Sequence, residues 1–206
     1  MTADTERLVE RAATGDGAAR DQLLRRHRHR LGRMVAVRFD PRLAARVDPS
    51  DVVQDTLAEA AAKLDRYLRE RPLPFYPWLR QLAQRRLVDL HRRHVRALRR
   101  SVTREEGPPA LPDHSAMKLA ARLFARNPSP SAGLHGRERC DRVRAALAAL
   151  PEPDREVLVL RILEALPTRE TAAVLRSSEV AVRIRQVRAL DRLKALLGPD
   201  FQEGER

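Results

Sequence analysis

The sequence predicts an all-α protein built as two small helical domains joined by a flexible linker. Three observations carry that prediction. Alanine, leucine and arginine dominate, and no stretch alternates apolar and polar side chains long enough to specify a strand. Apolar residues recur instead at three- and four-residue spacing. Two breaker clusters, Gly107-Pro108-Pro109 and Asn127-Pro128-Ser129-Pro130-Ser131, separate one helical block from the next. The expected boundaries are a first domain over 1–100, a linker over 101–136, a second domain over 137–198 and a tail over 199–206.

A first helix is predicted over 5–13 and a second over 17–37, with Leu23, Leu24, Leu31, Met34 and Val35 as its buried stripe. Pro41 and Pro49 bracket a connection. Asp51 then opens a helix with Gln54 three residues later, the spacing of a capping box. Val53, Leu57, Ala60, Ala61, Leu64 and Leu68 form its apolar side, leaving Asp51, Gln54, Asp55 and Glu59 polar. Pro72, Pro74 and Pro77 break the pattern, and a new helix starts near Pro77 or Trp78. Leu79, Leu82, Ala83, Leu87 and Leu90 are its apolar face. A short amphipathic piece, 116–125, lies inside the linker. Helices over 137–150 and 153–165 follow.

The last two elements fit a helix-turn-helix in the second domain: a helix over 168–175, a turn at Arg176-Ser177 and a longer helix over 178–197. Ala172 is small where the helices must approach, Val182 docks the second on the first, and Thr168 or Ser178 offers a capping hydroxyl. The second helix would lie in a major groove, with Ser178 and Glu179 at its start and Arg183, Arg185, Gln186 and Arg188 along it. Arginine reads guanine and glutamine reads adenine. Arg176 stands against the motif, because the turn favours a left-handed glycine and arginine there costs ~1 kcal/mol. The alternative is a helical hairpin with a solvated basic face.

Composition bounds the partners. Hydrophobic content of 43% with 33% charged residues suits a soluble globular chain. No apolar run approaches the ~20 residues of a membrane span, and the acidic N-terminus is not a secretory signal. The single cysteine, Cys140, allows no internal disulfide and fits a cytoplasmic location. A net charge of +13 points to a polyanionic partner. The first hundred residues hold 23 basic against 13 acidic side chains, and the excess is densest over 85–100. Seven arginines, Arg85, Arg86, Arg92, Arg93, Arg96, Arg99 and Arg100, share that run with one acid, Asp89. Mutual repulsion there favours an anionic partner over a solvated face. Phe75, Tyr76 and Trp78 lie just upstream and are candidates to stack on unpaired bases. Trp78, in a leucine-bearing helix, reads first as core.

No catalytic residue, metal site or cofactor is expected. The chain has no glycine-rich phosphate loop, no GxSxG and no HExxH. His91 and His94 are spaced to share a metal on one helix face, but arginines surround them and Asp89 is the only carboxylate nearby.

The order of these features resembles a family. Asp48-Pro49-Ser50-Asp51-Val52-Val53-Gln54-Asp55-Thr56 is similar to the region 2.2 signature of extracytoplasmic-function sigma factors of the sigma-70 family. Phe75-Tyr76-Pro77-Trp78-Leu79-Arg80 and Arg86-Leu87-Val88-Asp89-Leu90-His91-Arg92-Arg93 resemble regions 2.3 and 2.4. Leu150-Pro151-Glu152-Pro153-Asp154-Arg155-Glu156-Val157-Leu158 resembles the opening of region 4, which the helix-turn-helix closes. The resemblance implies a non-enzymatic RNA polymerase subunit that directs promoter recognition and transcription initiation. It implies that Asp48, Asp51, Gln54 and Asp55 dock on core polymerase. Phe75, Tyr76, Trp78, Arg85, Arg86, Arg92, Arg93 and Arg96 would engage the −10 element, and the residues from Ser178 to Arg188 named above the −35 element. Whether an anti-sigma factor also binds stays open. So does a helix-turn-helix transcriptional regulator that does not join core polymerase, although it leaves the Asp51 motif and the basic helix unexplained.

Overall fold

The computed structural model describes residues 2–44, 46–98, 112–124 and 135–198, and every regular element among them is helical. The chain forms two compact units, Met1–Pro109 and Ala110–Arg206.

The first unit contains α1 (Thr2–Ala13), α2 (Gly17–Arg38), a 3-10 turn (Pro41–Leu43), α3 (Pro49–Glu70) and α4 (Phe75–Leu98). Gly15, at φ +94°, makes the reversal between α1 and α2. Asp16 caps α2 by accepting the Ala19 N–H at 3.0 Å, and its other oxygen takes Arg11 of α1 at 2.6 Å. Leu8, Val9 and Ala12 of α1 enter one core with Leu23, Leu31, Met34 and Val35 of α2. Val52, Val53, Ala60, Leu64 and Leu68 of α3 and Leu79, Leu82, Ala83 and Leu87 of α4 complete it. Ala61, expected on the apolar side of α3, is exposed.

Two helix starts differ from expectation, for the same physical reason. α3 begins at Pro49, because proline lacks the N–H that a first-turn residue would leave unpaired. Asp48 is the cap, accepting the Ser50 N–H at 2.6 Å, so Asp51 lies in the first turn and is not the capping-box residue. α4 likewise begins at Phe75, with Pro77 inside its first turn.

The second unit contains α5 (Asp113–Phe124), α6 (His135–Ala149), α7 (Glu152–Leu158) running into a π-helical turn (Val159–Leu163), α8 (Thr168–Leu175) and α9 (Glu179–Leu197). α5, the amphipathic piece inside the expected linker, packs in this unit. Ala116 and Leu119 are buried, and Arg122 donates to the Leu163 carbonyl at 3.3 Å. Val143, Leu147, Val157, Leu158, Leu160 and Leu166 make the centre of the core, against which α9 lays Val182, Ala189, Leu193 and Leu197. Asp154, buried, forms an ion pair with Arg192 of α9. Most of the expected linker and the whole 199–206 tail lie outside the described residues.

Candidate functional site

The first candidate surface is the junction of α3 and α4. Asp51, Gln54 and Asp55 are exposed, while Val52, Val53 and Thr56 are buried on the opposite side of α3. Asp48 sits exposed at the helix start, and the Ser50 N–H it accepts holds its carboxyl below the usual carboxylate range. Asp55 forms an ion pair with Arg86 of α4. The sequence had assigned those two residues to different partners; the structure places them against each other. Beside them opens a groove of about 300 Å³ lined by Glu59, Arg85, Arg86, Asp89, Leu90 and Arg93. The acid-edged helix and the basic helix therefore share one continuous surface. Arg85, Arg92 and Arg93 are exposed along α4. Arg96 lies within α4, but its side chain, like those of His94 and Cys140, is outside the described residues.

The three aromatics lie inside, as first read for Trp78 and against the base stacking expected of Phe75 and Tyr76. Phe75, Tyr76 and Trp78 are only 3%, 2% and 7% exposed, so none presents a ring face to an unpaired base. Trp78 lies 4.4 Å from the Tyr67 ring and 5.6 Å from Phe75, and Phe75 lies 5.4 Å from Tyr67. Tyr67 donates its hydroxyl proton to the Leu73 carbonyl at 3.1 Å, and burial pushes its pKa up to about 12. Tyr76 donates to the Arg30 carbonyl at 3.2 Å, with the Arg30 guanidinium 3.7 Å over its ring. His27 of α2 completes the cluster, 5.3 Å from Phe75, and burial drives its pKa down to about 4. The rings lock α4 to α2 and α3. Their apolar area is worth more inside than out, which is why a proline-rich junction turned them inward.

His91 of α4 faces Asp40 at 3.5 Å rather than solvent. Among the described residues no group of three His, Cys, Asp or Glu is placed to hold a metal ion. No described helix is long and apolar enough to cross a membrane.

The second candidate surface is the helix-turn-helix. Arg176 adopts the left-handed conformation (φ 50°, ψ 47°) that the turn requires, and Ser177 donates to the Ala172 carbonyl at 3.0 Å. The motif thus closes without a glycine. Thr168 opens α8 after Pro167 with no side-chain cap, whereas the Ser178 hydroxyl accepts the Ala181 N–H at 3.1 Å and caps α9. Arg183 and Arg188 are exposed, and Arg183 lies 3.7 Å from Glu179 one turn earlier. Arg185 is half-buried.

Gln186 is a second correction. It is half-buried, and its side-chain oxygen accepts Nε of Arg161, from the π-helical turn, at 3.0 Å. Arg161 also donates to the Leu166 carbonyl. Gln186 lies about 40° around α9 from the buried Val182 at 100° per residue, which turns it toward the helix's inner edge, where Arg161 holds its oxygen. The sequence reading also missed the outermost line of α9. That line runs through Val180, Ile184 and Val187, all exposed. Its signal was present: Val182, Ala189 and Leu193 already account for the inward stripe.

A basic helical unit beside an acid-edged helix, with a second unit closing on a helix-turn-helix, defines a DNA-binding transcription protein that also carries a protein-docking face. Residues 23–97 match Sigma-70 region 2, and residues 140–193 match Sigma-70, region 4. The chain is 33% identical over 196 residues to the RNA polymerase sigma factor CnrH of Cupriavidus metallidurans, covering 95% of each. It is 32% identical over 191 residues to the ECF RNA polymerase sigma factor ShbA of Streptomyces griseus, covering 92% of this chain and 93% of that one. Identity to the ECF RNA polymerase sigma factor SigD of Mycobacterium tuberculosis is 30% over 199 residues, covering 94% and 85%. A solved structure of CnrH in complex with the cytosolic domain of CnrY aligns with a TM-score of 0.48 at 28% identity, covering 92% of this chain and 94% of that one. The chain belongs to the extracytoplasmic-function sigma factors of the sigma-70 family. It is an RNA polymerase sigma factor that directs promoter recognition and transcription initiation, and the family is non-enzymatic.

Proposed function

We propose that the chain divides this work between its two units. Residues 1–100 act as region 2, docking on core polymerase through Asp48, Asp51, Gln54 and Asp55. The same unit engages −10 DNA through Arg85, Arg86, Arg92, Arg93 and Arg96 of α4. Residues 137–198 act as region 4 and read −35 DNA through α9, with α5 adding to that unit from the linker side. The protein works in the cytoplasm, where its polymerase is.

One observation supports this division most directly. The exposed carboxylate and amide edge of α3 abuts an arginine-lined groove on α4. An acidic, polar edge suits a protein surface, and arginines suit phosphates. The Asp55–Arg86 pair keeps the two in register without consuming the other arginines.

The test separates the two edges. Asp51→Ala with Gln54→Ala is expected to weaken binding to core polymerase without lowering thermal stability, because Asp48 holds the helix cap. Arg92→Ala with Arg93→Ala is expected to leave core binding intact. It should lower the log–log salt slope of promoter binding by ~0.9 for each duplex phosphate that is no longer neutralised. Core binding at the parent level in the first variant, or an unchanged slope in the second, overturns the corresponding half of the assignment.

A further inference from the structure

We infer that α9 recognises thymine methyl groups in the major groove, through an apolar line formed by Val180, Ile184 and Val187. This rests on the reading of α9 as the −35 helix and specifies what that helix selects.

These side chains are 61%, 47% and 58% exposed. They account for three of the five large apolar side chains exposed among the described residues, so the line is not incidental surface. At 100° per residue they fall within an arc of about 60°, centred about 170° from Val182. The core has no use for them, because Val182, Ala189, Leu193 and Leu197 already bury the inner side of α9. The line faces away from its own unit.

The flanks identify the occupant. Arg183 and Arg188, both exposed, stand about 40° outside the line on either side. A helix of 10–12 Å diameter fills a major groove about 12 Å wide. Its outermost line then meets base edges while side chains on both flanks reach phosphates. A protein groove that accepts an apolar ridge would need an acid placed on each side to match these arginines, whereas two phosphate strands present negative charge on both sides as they stand. Asp191 takes the next outward position and is exposed. Its carboxylate would meet the same phosphates, which confines the contact to the first two turns of α9. Val180 to Val187 spans about 10 Å of helix, close to three base-pair steps of 3.4 Å.

The chemistry then selects the base. Valine and isoleucine offer no hydrogen bond, so they cannot answer the donors and acceptors of guanine, cytosine or adenine. The one apolar group on the major-groove edge is the thymine C5 methyl. All three residues are β-branched and stiff at χ1 in a helix, so their methyls are held in place at little entropic cost. A·T pairs are therefore favoured where the line lies, with the thymine strand set by the side the line faces.

The test uses holoenzyme assembled from the full chain and core polymerase. A −35 element is first selected from a randomised library. Each thymine in it is then replaced by deoxyuridine, which removes only the methyl. At two or more adjacent positions the replacement is expected to weaken binding about fourfold, the fold-change corresponding to about 0.8 kcal/mol per buried methyl-sized group. In Ile184→Ala and Val187→Ala the thymine-to-uracil ratio at those positions should fall toward one. The thymine-to-uracil comparison in the parent needs no variant, so a folding defect cannot obscure it. A selected element without A·T pairs overturns the inference, as does a ratio of one throughout. It is also overturned if the stripe variants bind promoter like the parent and lose a protein partner instead. Arg183→Ala with Arg188→Ala keeps the two levels apart. If that variant retains full −35 binding, the placement of α9 on DNA fails. If it loses binding while the parent's ratio is one, only the methyl reading fails.

Discussion

Replacing Trp78 with alanine separates a core residue from a base-stacking one. Trp78 is 7% exposed and lies against Tyr67, with ring centroids 4.4 Å apart, and against Phe75 at 5.6 Å. Truncating a buried tryptophan removes its transfer free energy and leaves a cavity, together about 3–5 kcal/mol. The ring–ring attraction to each neighbour is part of that sum, worth about 0.5–1.5 kcal/mol beyond area. A domain of about a hundred residues holds about 5–15 kcal/mol in total, so the first unit should lose about a fifth of its stability or more. With 4–8 °C per kcal/mol in domains of this size, its midpoint should fall by at least about 12 °C. Trp78→Phe keeps a ring against Tyr67 and should lose far less. Trp78 is the chain's single tryptophan, so its emission follows the unfolding of the first unit in the parent, and circular dichroism follows the variants. Promoter opening by holoenzyme is measured in parallel at a temperature where Trp78→Phe is folded, and it should proceed near the parent rate. The reasoning is refuted if Trp78→Ala leaves the midpoint of the first unit unchanged while promoter opening is lost.

Two further outcomes follow from the geometry. Gln186→Ala should cost about 1 kcal/mol in the second unit, because Arg161 loses its half-buried acceptor. The −35 sequence preference of the holoenzyme should not change, and a shift in preference on a panel of single-base variants would place Gln186 on the DNA. His27 should make the first unit acid-sensitive. Its folded pKa is depressed to about 4 from an ordinary 6.5, so below 6.5 the unfolded chain binds more protons than the folded one. The stabilisation is complete above pH 6.5 and is lost as pH falls toward 4, amounting to about 2 kcal/mol by pH 5. Denaturation of the parent and His27→Phe at pH 7 and pH 5 reads this, and equal pH dependence in both refutes it.

The helical layout was legible because its signals are local. Apolar spacing and breakers marked α1, α2, the end of α3 and the helix-turn-helix to within a few residues. The misplaced starts of α3 and α4 came from reading proline as a stop. At N1 or in a first turn it is a start, since the N–H it lacks would have had no helical partner there. The packing of α5 could not be read locally, because its surroundings of proline, serine and glycine outweighed its own amphipathic pattern. The buried aromatics were equally non-local: only the arrival of α2, with His27 and Arg30, makes an interior for Phe75 and Tyr76.

The site was legible where it is charged and hidden where it is not. Arginines announce a nucleic-acid face from sequence, and α4 and α9 both carry them. An apolar residue in a helix is by default assigned to the core, and Val180, Ile184 and Val187 are apolar. Yet α9 carries two apolar lines on opposite sides, Val182–Ala189–Leu193 and Val180–Ile184–Val187. Among the described residues of its unit, α9 buries only one of them. The inner line is fixed by Val182, which must dock on α8 for the turn at Arg176 to close. The other line is then surplus to folding, and it stands exposed between Arg183 and Arg188. On the proposed reading, charge locates the DNA-facing helix in this chain, and the apolar residues that the fold leaves over would give that helix its preference among bases.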